Sequence, residues 1–173
     1  MQIPESLTNF RCYGPSSDEF FGVTDVELPS FEVMTENISG AGIAGEYASP
    51  VPGHFGSQMV KVKLRQPTDK ALALLAPSYQ VLQLYGSMKQ QDPMLGIIDS
   101  KQIYVECRGQ TKHFNLGKLE AGKPMGAEFD IEIAKITVKI GGVEVLELDK
   151  FNMIFRVFGV DYLKQARTDL GGV

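Results

Sequence analysis

The sequence predicts a mainly β fold with one short helix. Short segments in which apolar and polar residues alternate occupy most of the chain, and 18 glycines and 9 prolines punctuate them. The one convincing helical segment covers about two turns and ends at Pro77, since proline cannot continue a helix. A length of 173 residues with 43% hydrophobic residues suits one domain, residues 1–173, with a core of its own.

The first elements are predicted to form a hairpin. Residues 9–13 and 19–28 have strand-like alternation, and turn-forming residues occupy positions 14–18 between them. Pro29 ends the second strand or places it at a sheet edge, because proline donates no hydrogen bond to a ladder. Residues 31–34 can add a short strand beyond it.

Residues 35–57 carry few signs of regular structure. Gly40, Gly42 and Gly45 stand close together, and two prolines and two more glycines follow before residue 57. A segment of about twenty residues without regular structure is unusual inside a compact domain, and such segments tend to be functional or to order on a partner. We therefore interpret residues 35–57 as an interaction arm.

Residues 58–66 form the clearest strand of the sequence. Its apolar residues alternate with the cationic Lys61, Lys63 and Arg65, so one face is expected to be buried and the other charged. Without interleaved aromatic residues, the charged face suits water or the acidic surface of a neighbour better than phosphate. Thr68 or Asp69 is expected to cap the short helix that follows.

The second half of the chain predicts further strands and a polar, helix-compatible end at residues 162–168. The strands are expected over residues 79–88, 102–115 and 128–140. The apolar phase of the third strand changes near residues 134–135. Since a strand has period two, this change indicates either a bulge or a strand whose two ends bury opposite faces.

A tight hairpin is predicted at Gly141-Gly142. Two glycines accept the positive φ angles of a two-residue turn, and matched residues face each other on the two sides. The predicted pairs are Ile140 with Val143, Lys139 with Glu144 and Val138 with Val145.

Charge is distributed unevenly along the chain, although the net charge is only −4. Residues 1–57 carry a net charge of −7, residues 58–126 one of +5 and residues 127–173 one of −2. This distribution suits ordinary solvated faces, or an acidic surface on one copy that meets a basic surface on the next. An acidic balance without a basic tail argues against tight nucleic-acid binding.

Metal, membrane and secretion signals are not expected. Cys12 and Cys107 match no metal or redox spacing, so we expect reduced, partly buried thiols. His54 and His113 have no second ligand residue close in sequence. The longest apolar run, residues 71–76, is far shorter than a membrane span, and the first ten residues lack the features of a secretory signal.

The sequence predicts neither an enzyme nor a bound cofactor. The glycines of residues 40–45 match the dinucleotide fingerprint formally, but prolines follow so closely that no helix can receive a pyrophosphate. Glu128, Asp130 and Glu132 alternate along one strand face whose opposite face is apolar, which a solvated polar face explains.

Five stretches carry the most specific pattern in the chain. These are residues 22–29, Glu36-Asn37 with the glycines of residues 40–45, the hairpin of residues 140–149, Asn152-Met153-Ile154, and Gly159-Val160-Asp161-Tyr162-Leu163. In order and spacing they resemble the major tail tube protein family of contractile-tailed phages and related tail-like particles. The resemblance covers nearly the whole chain, and residues 77–127 match only in general pattern.

The resemblance implies a β-sandwich or barrel-like domain with one short helix and with extended hairpins or loops for oligomerisation. It also implies hexameric rings that stack head to tail into a hollow tube, with hairpins joined edge to edge around the lumen. Assembly residues are then expected in the arm and in a C-terminal segment of about residues 152–173. The candidates are Glu36, Asn37, Gly40, Gly42, Gly45, Asn152, Gly159 and Asp161.

The partners that the resemblance implies are further copies of the chain, the tail sheath protein, the baseplate or tube initiator, and the tape-measure protein. The implied location is the virion tail or a tail-like particle, assembled in the host bacterial cytoplasm without a membrane. Transient DNA in the lumen is compatible with this picture. A charged face of Lys61, Lys63 and Arg65 turned to the lumen would oppose DNA passage, because a conducting channel is expected to repel phosphate.

Three alternatives stay open from the sequence. Ser30 and Glu32 stand where the family is expected to carry basic residues, and the lysines occur on the strand of residues 58–66 instead. If the face of Lys61, Lys63 and Arg65 lines the lumen, the first alternative is the tube of a headless bacteriocin-like tail or of a secretion device, which conducts no genome. The second alternative, from a different class, is a monomeric β-sandwich binding module. The third is a nucleotide-dependent enzyme.

Overall fold

The computed structural model describes residues 3–15 and 22–171 of the chain. Strands dominate this part, and the mainly β class predicted from the sequence is confirmed. The elements are β1 (Ile3–Tyr13), β2 (Val23–Glu27), β3 (Val33–Ser39), β4 (Glu46–Phe55), β5 (Met59–Leu64), α1 (Asp69–Ala73), β6 (Gln80–Asp92), β7 (Ile97–Asn115), β8 (Ala127–Ile140), β9 (Val143–Asp149), β10 (Ile154–Val157), β11 (Val160–Asp161) and α2 (Lys164–Asp169).

Most strands belong to one antiparallel sheet. Its order is β1-β6-β7-β8-β9-β10-β11, and β5 attaches to β8 and carries β2 on its other side. Within the described residues, β3 and β4 pair only with each other and form a separate two-stranded sheet. The sheet therefore positions one hairpin, β3–β4, outside its own ladder.

Strand β8 is the point at which the sheet branches. Its first half, residues 127–132, pairs with β5, and its second half, residues 135–140, pairs with β9. Ala134 lies between two ladder pairs with β7 and has no partner there, so the predicted phase change is a bulge. Ile133 and Ile136 on either side belong to the same buried cluster, which rules out the alternative of opposite buried faces.

One buried cluster forms the core, and strands of the large sheet, including β5, and helix α1 contribute residues to it. The three apolar positions of β5, Val60, Val62 and Leu64, are at most 2% exposed, as their alternation predicts. Helix α1 contributes Ala71 and, just beyond its end, Leu74 to the same cluster. A helix this short is held by packing, and burying the apolar residues provides most of the driving force.

Of the two predicted caps, Thr68 and Asp69, the one that caps α1 is Thr68. Its Oγ1 accepts a hydrogen bond from the Ala71 N–H at 3.2 Å, which satisfies one of the unpaired donors at the helix start. At the other end, the Thr111 hydroxyl donates to the Leu74 carbonyl at 2.7 Å and ties the helix to β7.

Both cysteines are free, as expected, and they are fully buried where partial burial was expected. Cys12 in β1 faces Leu84 of β6, and Cys107 in β7 faces Leu82 of β6, so a strand lies between them. Neighbouring strands are about 4.8 Å apart, which places two strands on either side of β6 beyond the reach of a disulfide. Burial raises the pKa of each thiol to about 12, so both stay protonated.

The predicted first hairpin is wrong. Strand β1 pairs with β6, and β2 pairs with β5, so the two are not partners. Part of the proposed second strand and of the turn, residues 16–21, lies outside the described residues. Alternation predicts that a segment is a strand, but the partner is chosen by which apolar face fits the common core.

The Gly141-Gly142 hairpin is confirmed, with φ angles of 59° and 82°. Ile140 pairs with Val143 and Lys139 with Glu144, as predicted. Val138 pairs with Leu146 and not with Val145, because the register shifts between Val138 and Lys139. The prediction was wrong at this third pair since turn chemistry sets the register only near the turn.

Candidate functional site

The interaction arm is a β-hairpin and not an irregular loop, which corrects the sequence interpretation. Ser39 pairs with Glu46, and Thr35 pairs with Pro50. The turn between them holds Gly40, Gly42 and Gly45 at φ angles of 148°, 94° and 116°. Residues with a side chain rarely adopt these angles, so the glycines allow the tip to close.

The arm exposes apolar residues on both strands and at its tip. Met34, Ile38, Ile43 and Tyr47 are 56%, 42%, 44% and 59% exposed. An isolated two-stranded hairpin is at best marginally stable in water. An arm with this much exposed apolar surface and two open edges is therefore suited to a partner.

Glu36 and Asn37, two of the predicted assembly residues, lie on β3 of the arm. They face Ser49 and Ala48 of β4, and both side chains are exposed. Side chains of paired residues share a face and successive residues alternate, so Glu36 and Asn37 point to opposite faces of the hairpin. Both faces of the arm thus present a polar group for contact.

The base of the arm is separated from its outer part by a break in register. Between neighbouring ladder pairs, β3 advances from Val33 to Thr35, whereas β4 advances from Pro50 to Phe55. The excess residues on β4 include Gly53, with φ 73°. A Cβ at Gly53 would lie 2.7 Å from Leu163 Cδ1, so glycine permits close packing of the arm on the C-terminal segment.

Aromatic rings continue this contact between the arm and the C-terminal segment. The ring of Phe55 lies 5.7 Å from that of Phe31 and 5.1 Å from that of Phe155. Phe155 in turn lies 5.9 Å from Tyr162. The structure therefore brings together the base of the arm and the C-terminal segment, the two regions that the sequence singled out.

Asn152 and Gly159 shape the turns of the C-terminal segment. Asn152 donates to both Asp149 oxygens, from its backbone N–H at 3.0 Å and from Nδ2 at 2.8 Å. Gly159 follows Phe158 in the two-residue turn between β10 and β11, with φ angles of 81° and 47°. Both residues act within their own chain by fixing the β9–β10 and β10–β11 connections.

Asp161 anchors helix α2. Its Oδ2 accepts from Arg167 Nη2 at 2.6 Å, and its Oδ1 accepts from the Leu163 N–H at 3.1 Å. Arg167 also donates to the Met153 carbonyl at 2.7 Å. The hydrogen bond from Arg167 is the main reason that the pKa of Asp161 lies below its ordinary value.

Replacing Asp161 with asparagine is expected to lower stability by about 2 kcal/mol at pH 7, because a charge-assisted bond to Arg167 is lost. The pKa of Asp161 is lowered by folding, so its contribution is full above the ordinary value of about 4 and is lost as the pH falls through the lowered pKa. Thermal melts of wild type and variant should differ at neutral pH and converge in acid.

Asp169→Asn provides the matched control for this prediction. Asp169 accepts a hydrogen bond from Gln165 at 2.8 Å on the exposed side of the same helix. This variant should melt with the wild type throughout the pH range. A gap between wild type and Asp161→Asn that stays constant into acid would contradict the role assigned to the Asp161 carboxylate.

The charged face of β5 is largely balanced by its own chain. Lys61 lies 3.8 Å from Glu27, and Lys63 lies 3.4 Å from Asp25, both on β2. On the other side, β8 places Asp130 opposite Lys61 and Glu128 opposite Lys63. Exposed pairs of this kind contribute little stability, but they remove most of the net charge from the face.

A second protruding hairpin was missed by the sequence analysis. Strands β6 and β7 continue past their predicted ends to a turn at residues 93–96. Met94, Leu95, Ile97 and Ile98 near this turn are 87%, 71%, 55% and 63% exposed. The available signal was two apolar pairs flanking Gly96 within an otherwise polar stretch.

Two backbone edges are open beside this hairpin. In the described residues β1 pairs with β6 alone, and residues 97–101 of β7 also pair with β6 alone, since β8 ends opposite Ile103 and the Gly141 N–H donates to the Gln102 carbonyl at 2.8 Å. Unpaired edge groups invite another strand. The sheet is therefore extendable on both sides of β6.

The sheet face turned away from the core carries ion pairs of both signs. Lys135 lies 2.8 Å from Glu147, which also accepts from Arg156, and Arg108 donates to Glu106 at 2.7 Å. Each of these five charged side chains has an opposite partner in its own chain. This face therefore carries no single sign that would bind or repel a polyanion strongly.

Residues 3–15 and 22–171 contain no group of three or more histidine, cysteine or acidic residues arranged to hold a metal ion. None of the helices in these residues has the length and apolar character needed to cross a membrane.

Comparison with known proteins gives an independent view of the same chain. The family described as phage tail tube protein FII matches residues 4–171. The tail tube protein of Escherichia phage P2 is 26% identical to this chain over 152 residues, which cover 84% of this chain and 85% of the phage protein. The family match spans the arm, the protruding β6–β7 hairpin and the C-terminal segment.

Proposed function

The chain belongs to the phage tail tube protein FII family, and from this premise we propose that it assembles into hexameric rings that stack into the inner tube of a contractile tail or related particle. Proteins of this family are structural and not enzymes, so the arm, the open edges and the protruding hairpin are surfaces for assembly. The virion tail is accordingly the place where the chain acts, after assembly in the cytoplasm of a bacterial host.

The observation that carries this proposal is the apolar surface that both hairpins expose, together with open strand edges beside β6. The arm and the β6–β7 tip each expose four large apolar residues, and the strand edges beside β6 lack partners in the described residues. Burying apolar surface and pairing edge groups are both favourable, and sister copies can supply both at once. Contacts between different surfaces of identical copies propagate, either around a closed ring or along a stack.

The predicted assembly residues divide into two roles under this proposal. Gly40, Gly42 and Gly45 shape the arm tip, and Glu36 and Asn37 make contacts from its faces. The C-terminal candidates act indirectly: Asn152, Gly159 and Asp161 hold the segment on which the base of the arm rests.

The proposed partners are a sheath around the tube, a baseplate or tube initiator at its end and a tape-measure protein inside it. Passage of DNA through the lumen is compatible with the proposal. The pairing of Lys61 with Glu27 and of Lys63 with Asp25 supports this, since neither lysine presents an unbalanced cation. A headless particle would use the same subunit contacts.

Electron microscopy of the purified protein over a range of concentrations tests the proposal. Tubes or rings with six-fold symmetry are expected above a critical concentration, while size-exclusion chromatography below it gives a 19.0 kDa monomer. A strict monomer at every concentration, including in mixtures seeded with sonicated tail tubes, would overturn it in favour of a monomeric binding module.

A further inference from the structure

We propose that the arm of each subunit binds a basic cleft at the opposite end of β5 in a subunit of the neighbouring ring. This inference rests on the proposed stacking of rings and names the two surfaces that meet. The occupant of the cleft is a second copy of this chain, and the contact is acidic on the arm and basic in the cleft.

The cleft lies where β5 ends and the loop of residues 116–126 returns to β8. It has a volume of about 630 Å³, and Arg65 and Lys123 are the charged residues among those that line it. Its walls are formed by Gly22, Arg65, Gln66, Thr68, Gly122, Lys123 and Pro124. A concave site whose charged groups are all cationic attracts an acidic partner.

The backbone of Arg65 is held beside the cleft by two hydrogen bonds. Its N–H donates to the Gly22 carbonyl at 2.9 Å, and its carbonyl accepts from the Gly126 N–H at 3.0 Å. Its side chain is exposed and makes no ion pair with a described residue, in contrast to Lys61 and Lys63 on the same strand face. Arg65 also lines an adjoining depression.

Lys123 is the second cation that lines the cleft. It lies 2.6 Å from Glu120 on the same loop, and both side chains are more than half exposed. An exposed pair this close in sequence is weak, so Lys123 can change partner when an acidic group arrives. The cleft therefore offers two cations, Arg65 and Lys123.

The arm has the complementary charge. Residues 33–57 contain Glu36 and Glu46 and no lysine or arginine. Both glutamates are exposed, and neither forms an ion pair within the described residues. Glu36 faces Ser49, and Glu46 faces Ser39, so the two acids lie on opposite faces of the hairpin and each face of the arm presents an acid to a basic surface.

The strand order places the arm and the cleft at opposite ends of β5. Antiparallel pairing sets Glu27 beside Lys61 and Val23 beside Leu64, so the chain leaves for the arm at the Met59 end of β5 and the cleft lies beyond Leu64. Six residues of strand span about 20 Å. If the arm at one end of β5 binds the cleft at the other end of β5 in the next copy, the same contact can repeat from copy to copy along the direction of β5. Such a repeat produces a stack.

Charge exchange tests this contact. Glu36→Lys with Glu46→Lys reverses the arm, and Arg65→Glu with Lys123→Glu reverses the cleft. All four residues are exposed, so each double variant should melt with the wild type. We expect each variant alone to raise the critical concentration for tube formation at least tenfold, because like charges then meet between rings.

Combining the two double variants in one chain distinguishes a loss of this contact from a general loss of solubility. A chain that carries all four substitutions should form tubes again, since arm and cleft are once more opposite in charge. Wild-type tubes should also become harder to form as salt is raised, because exposed charges are screened.

The outcomes distinguish this inference from the proposed function. Tubes from the wild type and from both double variants would overturn the arm-to-cleft contact and leave the tube function intact. Failure of the fourfold variant to recover, with its fold preserved, would overturn it as well. Absence of tubes from the wild type under every condition would overturn the proposed function and this inference together.

Discussion

Substitution of Gly42 by valine is expected to abolish tube formation while leaving a folded monomer. Gly42 has a φ of 94°, where a β-branched residue is strongly strained, so the turn at the arm tip must change its course. No atom lies within 4 Å of a Cβ built at this position, and the tip makes no part of the buried cluster. The melting temperature should therefore stay within about 2 °C of the wild type, since local strain in a separate hairpin does not reach the core.

Negative-stain microscopy and sedimentation of the assembled fraction measure the effect. Gly42→Asn is the matched control, because asparagine enters positive-φ conformations far more readily than valine does. It should retain tubes, at a raised critical concentration. Normal tubes from the valine variant would refute the role of the arm, and an unfolded valine variant would refute the independence of the arm from the core.

Alanine at Gly109 is expected to disrupt the subunit itself. Gly109 in β7 lies beside the β8 bulge, and a Cβ there would be 1.8 Å from the Glu132 carbonyl oxygen. Since the obstructing atom belongs to the backbone, β7 and β8 must separate where β8 also holds β5. We expect a loss of about 3 kcal/mol or more, a large share of the stability of an ordinary domain, measured by urea denaturation.

Gly86→Ala distinguishes this clash from a general effect of alanine in a strand. A Cβ at Gly86 would meet the ends of two side chains, Ile103 Cγ2 at 2.8 Å and Leu7 Cδ1 at 2.9 Å. Leu7 is half exposed and can move, so this variant should lose less than about 1.5 kcal/mol. Equal losses from the two variants would show that contact with the β8 backbone does not set the cost.

The packing of the arm on the C-terminal segment has a consequence for assembly. Phe55 at the base of the arm contacts Phe155, while Gly53 lies against Leu163. A change in the C-terminal segment can therefore alter the direction in which the arm leaves the subunit. The C-terminal candidates would then affect stacking without touching a neighbour.

Elements with strong local signals were predicted well. The alternation of β5, the Thr68 cap and the Gly141-Gly142 turn each depend on residues within a few positions of one another. Periodicity and turn chemistry act between residues a few positions apart, so the sequence alone is enough to predict these elements. The phase change at Ala134 was also visible, although the choice between a bulge and opposite burial needed the β7 register.

Pairing between distant segments was predicted poorly. Residues 46–55 were interpreted as irregular because Pro50, Pro52 and Gly53 are poor strand residues, yet they form β4, which pairs with β3 alone in the part of the chain that the structure describes. Strands β6 and β7 were predicted too short and the hairpin between them was missed, since the polar residues 89–92 and 99–102 lack the alternation of the buried parts. Such segments are held by ladder hydrogen bonds, whose partners the side chains do not specify.

The amino-acid sequence by itself determined the mainly β class, the position of the arm and the charged face of β5. It also indicated the protein family, through the C-terminal segment. Each of these depends on residue types at short spacing. Only the tertiary structure decided that β1 joins β6, that Lys61 and Lys63 are balanced by β2, and that the arm and the cleft with Arg65 lie at opposite ends of β5. These depend on which strands share the core, a choice made by the packing of the whole chain and not by any one segment.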